Sequence, residues 1–561
     1  MKLHARRSWR VAFALLALSP LAAAQVLHEF QGTDPHIEFG VGLARAGDVN
    51  ADGFDDLVIG APDFQAGAGR VEVRSGLDGS VFWSRIGDAE GDRLGQVVAS
   101  AGDVDGDGLD DVLIAAPYAS ELASNGGAVW VLSGETGSEL HAFQGDGWNH
   151  RLGWSLGAVG DWNDDGHDDF LIGAPRDGAG RVRIHSGLDG SVLLEVDGEA
   201  GDYSGWSACA VDDLTSDGVR ELLVGEPYDD SQGHDRGRAR LLSGEDGSEL
   251  AVFDGESDDS FFGWSVSALG DLDGDGVGDF GVGTPFESSV APSAGLVRVI
   301  SGADLSVMSS VFGQEANQRL GSSFDGVGDL DGDGHDDWVL GMEGDDRVEF
   351  LSGLDGSLLH GITGVPQDGT GAAVAGVGDV DGDGWPDVAI DSPSWSQVGR
   401  VRVYSGAWGV FHMTSFCQSG GASASCPCGN DDPTRGCASS VGFGAYLTGA
   451  GSTAVSADDL SLYAYLLPPG RPALLFAGDV PVASGALVLG DGLRCAGGNV
   501  QRLGVRVPPG SGSASWGPGL VAQGAWSAGE TRYLQVWYRD SSGPCGAGFN
   551  VSSGVEVRLI P

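Results

Sequence analysis

An acidic nonapeptide, D-x-[DN]-x-[DN]-G-x-x-D, returns six times in this chain and a seventh time in altered form (DLTSDGVRE at 213–221), and its spacing limits the possible folds more than any other feature. The copies start at Asp48, Asp103, Asp161, Asp213, Asp271, Asp329 and Asp379, so successive starts lie 55, 58, 52, 58, 58 and 50 residues apart. That period suits one four-stranded blade per unit, and seven units predict an all-β, seven-bladed β-propeller. A strand leads into each loop, as at 40–47, and an apolar strand leaves it, as at Leu57-Val58-Ile59. Further on, GRVEVRSGLDGS (69–80) alternates apolar and polar residues before an Asp-Gly hairpin turn, and the same grammar returns at 180–191, 237–248 and 346–357. Val26 to Gly32 (VLHEFQG) is similar to the outer-strand segment Leu140 to Gly145 (LHAFQG) with no full unit before it, so it is expected to complete the last blade.

The nonapeptide has the oxygen spacing of a calcium loop. Calcium takes six to eight hard oxygen ligands, which carboxylates at positions 1, 3, 5 and 9 and the backbone carbonyl of position 7 can supply, while glycine at position 6 permits the bend. The candidate ligands are Asp48, Asn50, Asp52, Phe54 and Asp56 in loop one, and Asp103, Asp105, Asp107, Leu109 and Asp111 in loop two. Loop three offers Asp161, Asn163, Asp165, His167 and Asp169; loop four offers Asp213, Thr215, Asp217, Val219 and Glu221. Loop five offers Asp271, Asp273, Asp275, Val277 and Asp279; loop six, Asp329, Asp331, Asp333, His335 and Asp337; loop seven, Asp379, Asp381, Asp383, Trp385 and Asp387. Phe54, Leu109, His167, Val219, Val277, His335 and Trp385 would act through their carbonyls, leaving the His167 and His335 side chains solvated, and Asp110 at position 8 is expected to point outward. An EF-hand is rejected, because position 12 is Ile59, Ile114 or another apolar strand residue instead of glutamate. Up to seven Ca2+ ions are expected. Loops one and three should bind more weakly than the four all-Asp loops, and loop four, with Thr215 and Glu221, last or not at all.

The order Phe-Gly, acidic loop, Gly-Ala-Pro resembles the FG-GAP repeats of the integrin α-subunit propeller. Phe39-Gly40 with Gly60-Ala61-Pro62 matches fully, as does Phe262-Gly263 with Gly283-Thr284-Pro285; Leu-Gly stands in at Leu94, Leu152 and Leu320. Unit four departs, with Ser204-Gly205 and Gly225-Glu226-Pro227, and unit six has Glu343 where the proline would be. The resemblance covers about 25 to 411 and implies calcium loops on one face, partner binding on the opposite face or rim, and adhesion as the work.

Charge and export narrow the setting. The 561 residues include 81 acidic and 30 basic, a net charge of −51 that repels phosphate backbones, so nucleic acid is excluded as a partner and an extracellular protein or glycan is expected. Lys2, Arg6, Arg7 and Arg10, then the apolar stretch 11–24 ending in Ala22-Ala23-Ala24, read as a signal peptide (1–24) cleaved after Ala24, sending the chain to the cell surface or the medium. Arg6-Arg7 fits a twin-arginine signal poorly, because Arg10 keeps charge beside the apolar stretch. No later stretch is long and apolar enough to span a membrane.

Catalysis finds no constellation. Gly153-Trp154-Ser155-Leu156-Gly157 fits a nucleophile elbow, but the equivalent GWSAC (205–209) and GWSVS (263–267) make Ser155 a repeat-register residue. Trp154, Trp206 and Trp264 share one repeat position, which favours core or rim packing over a sugar platform. Cys209 is expected as a buried free thiol.

Beyond 411 the loops stop. Cys417, Cys426, Cys428 and Cys437 lie in or beside a cysteine-rich linker (412–440), and with Cys495 and Cys545 they read as disulfide partners in an oxidising compartment, with zinc the less suitable alternative at C-P-C spacing. Short strands from 441 to 561 suggest a small β-sandwich, similar to terminal domains of exported bacterial repeat proteins. Asn550-Val551-Ser552 matches a glycosylation acceptor by sequence alone. The resulting expectation is a non-catalytic, calcium-binding adhesion or interaction protein; a calcium-dependent lectin is the second reading and an extracellular polysaccharide-cleaving enzyme the third.

Overall fold

A computed structural model describes residues 26–34 and 37–406 and, beyond them, 415–416, 440, 445–450, 461–465, 467–481, 487–489, 492–494, 496–508, 513–517, 519–527, 530–541, 549–552 and 554–558. The chain divides after Gly406 into two compact units. The signal-peptide reading and all six C-terminal cysteines fall outside the described residues.

The first unit holds seven four-stranded antiparallel sheets. Their first strands are Leu43–Gly47, Val97–Gly102, Ser155–Gly160, Ser207–Ala210, Ser265–Gly270, Phe324–Gly328 and Val374–Gly378, and they neighbour one another in cyclic order, the seventh against the first. The second strands are Asp56–Ala61, Asp111–Ala116, Asp169–Ala174, Leu222–Glu226, Asp279–Thr284, Asp337–Met342 and Asp387–Ser392, and every residue in them is buried. Such continuous burial requires a sheet on either side, the stacking of blades in a propeller. Side chains of adjacent blades share each core cluster: Leu113, Val129 and Val131 of blade two meet Phe170 and Ile172 of blade three.

The ring closes through the N-terminal strand. Val26–Gln31 lies antiparallel to Arg400–Tyr404, with Glu29 opposite Arg402 and Phe30 opposite Val401. Phe30 is buried with Leu57 and Ile59 of blade one as well as Val401 and Val403 of blade seven. Glu29 receives the Arg402 guanidinium at 2.6 Å, and the Arg74 guanidinium lies 4.6 Å over the Phe30 ring.

In the outer strand Leu358–Thr363, burial holds the His360 imidazole down at about 4, against about 6.5 when exposed. A depressed histidine contributes stability above its unfolded value that is lost as pH falls toward the folded one. Acidification from pH 7 to 5 should therefore cost the native chain about 2 kcal/mol through this group, a cost that His360→Leu avoids. Urea melts of both proteins at the two pH values check this; equal losses would remove His360 as the cause.

The second unit packs a three-stranded sheet (Tyr446–Ala450, Ser461–Tyr465, Ala514–Trp516) and a larger one, including Ala473–Gly478, Gln501–Arg506 and Thr531–Arg539, onto one core. Leu447, Leu462 and Trp516 from the former meet Leu475, Leu503, Leu534 and Val536 from the latter, the arrangement of a β-sandwich. Asn550 in the acceptor-like tripeptide is fully buried, so the folded domain does not present it for glycosylation.

Candidate metal loops and the opposite face

Because successive strands run antiparallel, connections alternate between the two ends of each blade. The acidic loops join first to second strands at one end; the Gly-Ala-Pro segments join second to third strands at the other.

All seven loops share one hydrogen-bond frame. The position 1 carboxylate accepts the amides of positions 5 and 6, at 3.1 and 3.0 Å in Asp48 and 3.1 and 2.8 Å in Asp379. The position 5 carboxylate accepts the amide of position 7, at 2.9 Å from Leu109 to Asp107. Glycine at position 6 has φ from 88° to 94°, which a side chain would strain. Ligand atoms of Asp103, Asp105 and Asp107 lie within 4.8 Å of one another, as do those of Asp271, Asp273 and Asp279 and those of Asp213, Asp217 and Glu221.

Position 9 is also a staple within its blade, a role the sequence did not disclose. Asp111 accepts the Val104 amide at 3.0 Å through one oxygen and the Gly134 amide at 3.0 Å through the other, tying the loop to the turn between third and fourth strands. The same pair of bonds recurs at Asp56, Asp169, Asp279, Asp337 and Asp387. Burial, reinforced by neighbouring loop carboxylates, pushes Asp111 up to about 7 and Asp387 up to about 8 despite these amides. In loop four, Glu221 takes the Leu214 amide with one oxygen at 2.6 Å and leaves buried Oε1 without a well-formed hydrogen bond.

Two expectations are corrected. Asp110 does not point outward: its Oδ2 accepts the Asp48 amide of the preceding blade at 3.0 Å. His167 and His335 are half-buried, and their Nδ1 atoms lie 2.8 Å from the Val104 carbonyl and 3.1 Å from the Leu272 carbonyl of the blade before. Within-unit spacing carried no sign of either contact, because both cross between repeats.

Ser155 is buried and donates to the Gly205 carbonyl of blade four at 3.0 Å; Ser207 and Ser265 repeat this bond one blade further on. It is a blade-to-blade tie. Away from the loops, Asp202, Glu226 and Asp229 converge, but all are buried and matched by Arg238 and Arg240, with Arg238 Nε 2.7 Å from Glu226. Cys209 is a free thiol packed toward blade five, pushed up to about 12 by burial, which keeps it protonated.

The end opposite the loops carries a row of half-exposed aromatic rings. Trp154, Trp206 and Trp264 step from blade three to blade five with centroids 5.0 and 4.8 Å apart. Tyr118 extends the row at one end, 6.1 Å from Trp154, and Phe286 at the other, 5.5 Å from Trp264, while Tyr228 packs 5.6 Å from Trp206. Arg151 lies 4.5 Å over Tyr118, and Trp148 nearby in sequence is 76% exposed. Each ring leans on the next, as rim packing requires, and each keeps part of its surface in solvent.

The FG-GAP repeat family matches residues 39–72, 95–132, 152–185 and 262–300, which fall in blades one, two, three and five. Integrin alpha-5 of Xenopus laevis is 33% identical over 222 residues, covering 36% of this chain and 21% of that protein. Integrin alpha-PS2 of Drosophila melanogaster is 30% identical, covering 35% and 16%, and Integrin alpha-V of Gallus gallus is 32% identical, covering 35% and 20%. The chain thus spans about a fifth of the length of the curated relatives it matches. Blade four, unmatched, is where Ser204 and Glu226 replace the motif residues. Over its N-terminal unit, folded as seven four-stranded blades, the chain thus carries four FG-GAP repeat matches and is similar to integrin α subunits.

Proposed function

We propose that this chain is an exported, non-catalytic, calcium-loaded adhesion or interaction protein, working at a cell surface or outside the cell on a protein or glycan partner. The observation that carries the reading is the partly exposed aromatic row, on the end of the propeller away from the metal loops. Half-exposed tryptophan and tyrosine beside arginine are the residue types that dominate binding surfaces. Among the described residues no helix is long and apolar enough to cross a membrane.

The loops fit calcium by their chemistry. Their donors are hard oxygens, clustered on a frame that already aims the position 1 and 5 carboxylates, and Glu221 Oε1 is a buried oxygen that a cation would satisfy. Calcium, when bound, supplies charge neutralisation at the loop. The chain's own residues do the rest: positions 1 and 5 shape the turn and position 9 anchors it. Loop four is therefore kept among the candidate sites, as the weakest of the seven.

A lectin is the second reading, favoured by the same rings, since sugars stack on exposed aromatic faces. The polysaccharide-cleaving alternative draws no support from Asp202, Glu226 and Asp229, which are buried and salt-bridged. The test is to probe the mature protein on glycan and extracellular-protein arrays, in calcium and in EDTA, beside Trp206→Ala and Trp264→Ala. A specific signal that falls about tenfold or more in the variants, at unchanged melting temperature, supports the row as the binding face. A narrow glycan preference selects the lectin; specific binding untouched by either substitution removes the row from the proposal.

A further inference from the structure

Position 8 of the acidic loop holds no ligand, yet in four blades its carboxylate reaches into the loop of the blade before. Asp110 accepts the Asp48 amide at 3.0 Å, Asp168 the Asp103 amide at 2.9 Å, Asp336 the Asp271 amide at 2.9 Å, and Asp55 the Asp379 amide at 3.2 Å, across the ring closure. Each bond lands on position 1, whose carboxylate frames the loop. The preceding residue is glycine in each case, Gly47, Gly102, Gly270 and Gly378, with φ between 70° and 80°. A Cβ there would lie between 1.7 and 2.2 Å from the incoming Asp oxygen, so the space is built for this carboxylate. The other three junctions lack it: position 8 is Arg220, Gly278 or Pro386, and at Gly278 the bond is reversed, its amide donating to Asp212 at 2.9 Å.

We propose that Asp55, Asp110, Asp168 and Asp336 are positioning residues for the cation of the preceding blade, so that metal affinity at loops seven, one, two and five depends on a side chain from the next blade. This rests on the calcium reading of the loops. A charge-assisted hydrogen bond fixes the amide from which the position 1 carboxylate departs, without the residue taking a coordination place. At Asp55 the second oxygen is held by the Arg45 guanidinium at 2.7 Å, so its charge is offset and the bond to the Asp379 amide does the positioning.

Two loops contain tryptophan, Trp385 in loop seven and Trp162 in loop three. Terbium, which takes calcium's oxygen sites and emits when excited through a nearby indole, therefore reports on both. Loop three faces Arg220 and has no cross-blade carboxylate, so it serves as the internal reference. In the mature protein Asp55→Ala, which removes no ligand, should weaken terbium binding at loop seven about tenfold and leave loop three unchanged. Asp55→Asn keeps an acceptor and the fold, and should fall between. Unchanged loop-seven binding in both variants overturns the proposal, as does an equal shift of both loops. No indole-sensitised emission from the folded native protein would instead sink the cation reading itself.

Discussion

Chelation should lower the melting temperature of this protein by about 20 °C. A ligand at a thousandfold over its dissociation constant stabilises the folded state by about 4 kcal/mol per site. A unit of about 380 residues unfolds with an entropy of roughly 0.8 kcal/mol per kelvin, so each site is worth about 5 °C and the four all-Asp loops together about 20 °C. The effect is large because stripping the cation leaves three or four carboxylates converging in one turn, whose mutual repulsion the bound charge had offset. Calorimetric scans in millimolar calcium and in EDTA check this. Midpoints agreeing within about 2 °C would leave the loops as acidic turns without a metal role.

Removal of Val26–Gln31 should be the most damaging short deletion in the first unit. Without this strand Arg400–Tyr404 becomes an open edge, and the cluster around Phe30, Leu57, Val401 and Val403 loses its cover. An apolar, unpaired edge strand is a template for association. The truncated chain is expected to elute as soluble aggregate, while Phe30→Ala, which removes the ring and keeps the strand, should stay monomeric and lose about 3 kcal/mol in denaturant melts. A truncated protein that melts like the native chain would show that the three remaining strands of blade seven close the ring unaided.

The architecture was legible because its signal is periodic. Seven copies of one ligand spacing fixed the blade count and each loop, and the likeness of Val26–Gly32 to Leu140–Gly145 pointed to the closing strand. The contacts that escaped all pass between units. Asp110 read as surplus charge because its partner, the Asp48 amide, lies 62 residues upstream and belongs to the main chain, which leaves no mark on the sequence. The imidazoles of His167 and His335 were assigned to solvent for the same reason. Position 9 was legible as a ligand but not as a staple, since Gly134 and its equivalents look like ordinary turn glycines. The row formed by Trp154, Trp206 and Trp264 was visible as a repeat position. The stacking of one ring on the next was not, because it depends on contacts between blades.

The closing strand also decides how the propeller would carry a pull. Tension applied at the aromatic end and resisted by the downstream chain leaves the first unit through Arg400–Tyr404, beyond which residue 406 ends the unit. That strand is held on both sides, by Val26–Gln31 and by Asp387–Ser392, so the load is shared between two ladders of hydrogen bonds. The N-terminal strand, paired at Val26 with Tyr404, bears none of that tension directly yet doubles the grip on the strand that does. A pull between residues 26 and 404 would instead open the pair one bond at a time from their common end. The same closure would thus resist a pull from the aromatic end and yield to one on its own N-terminus.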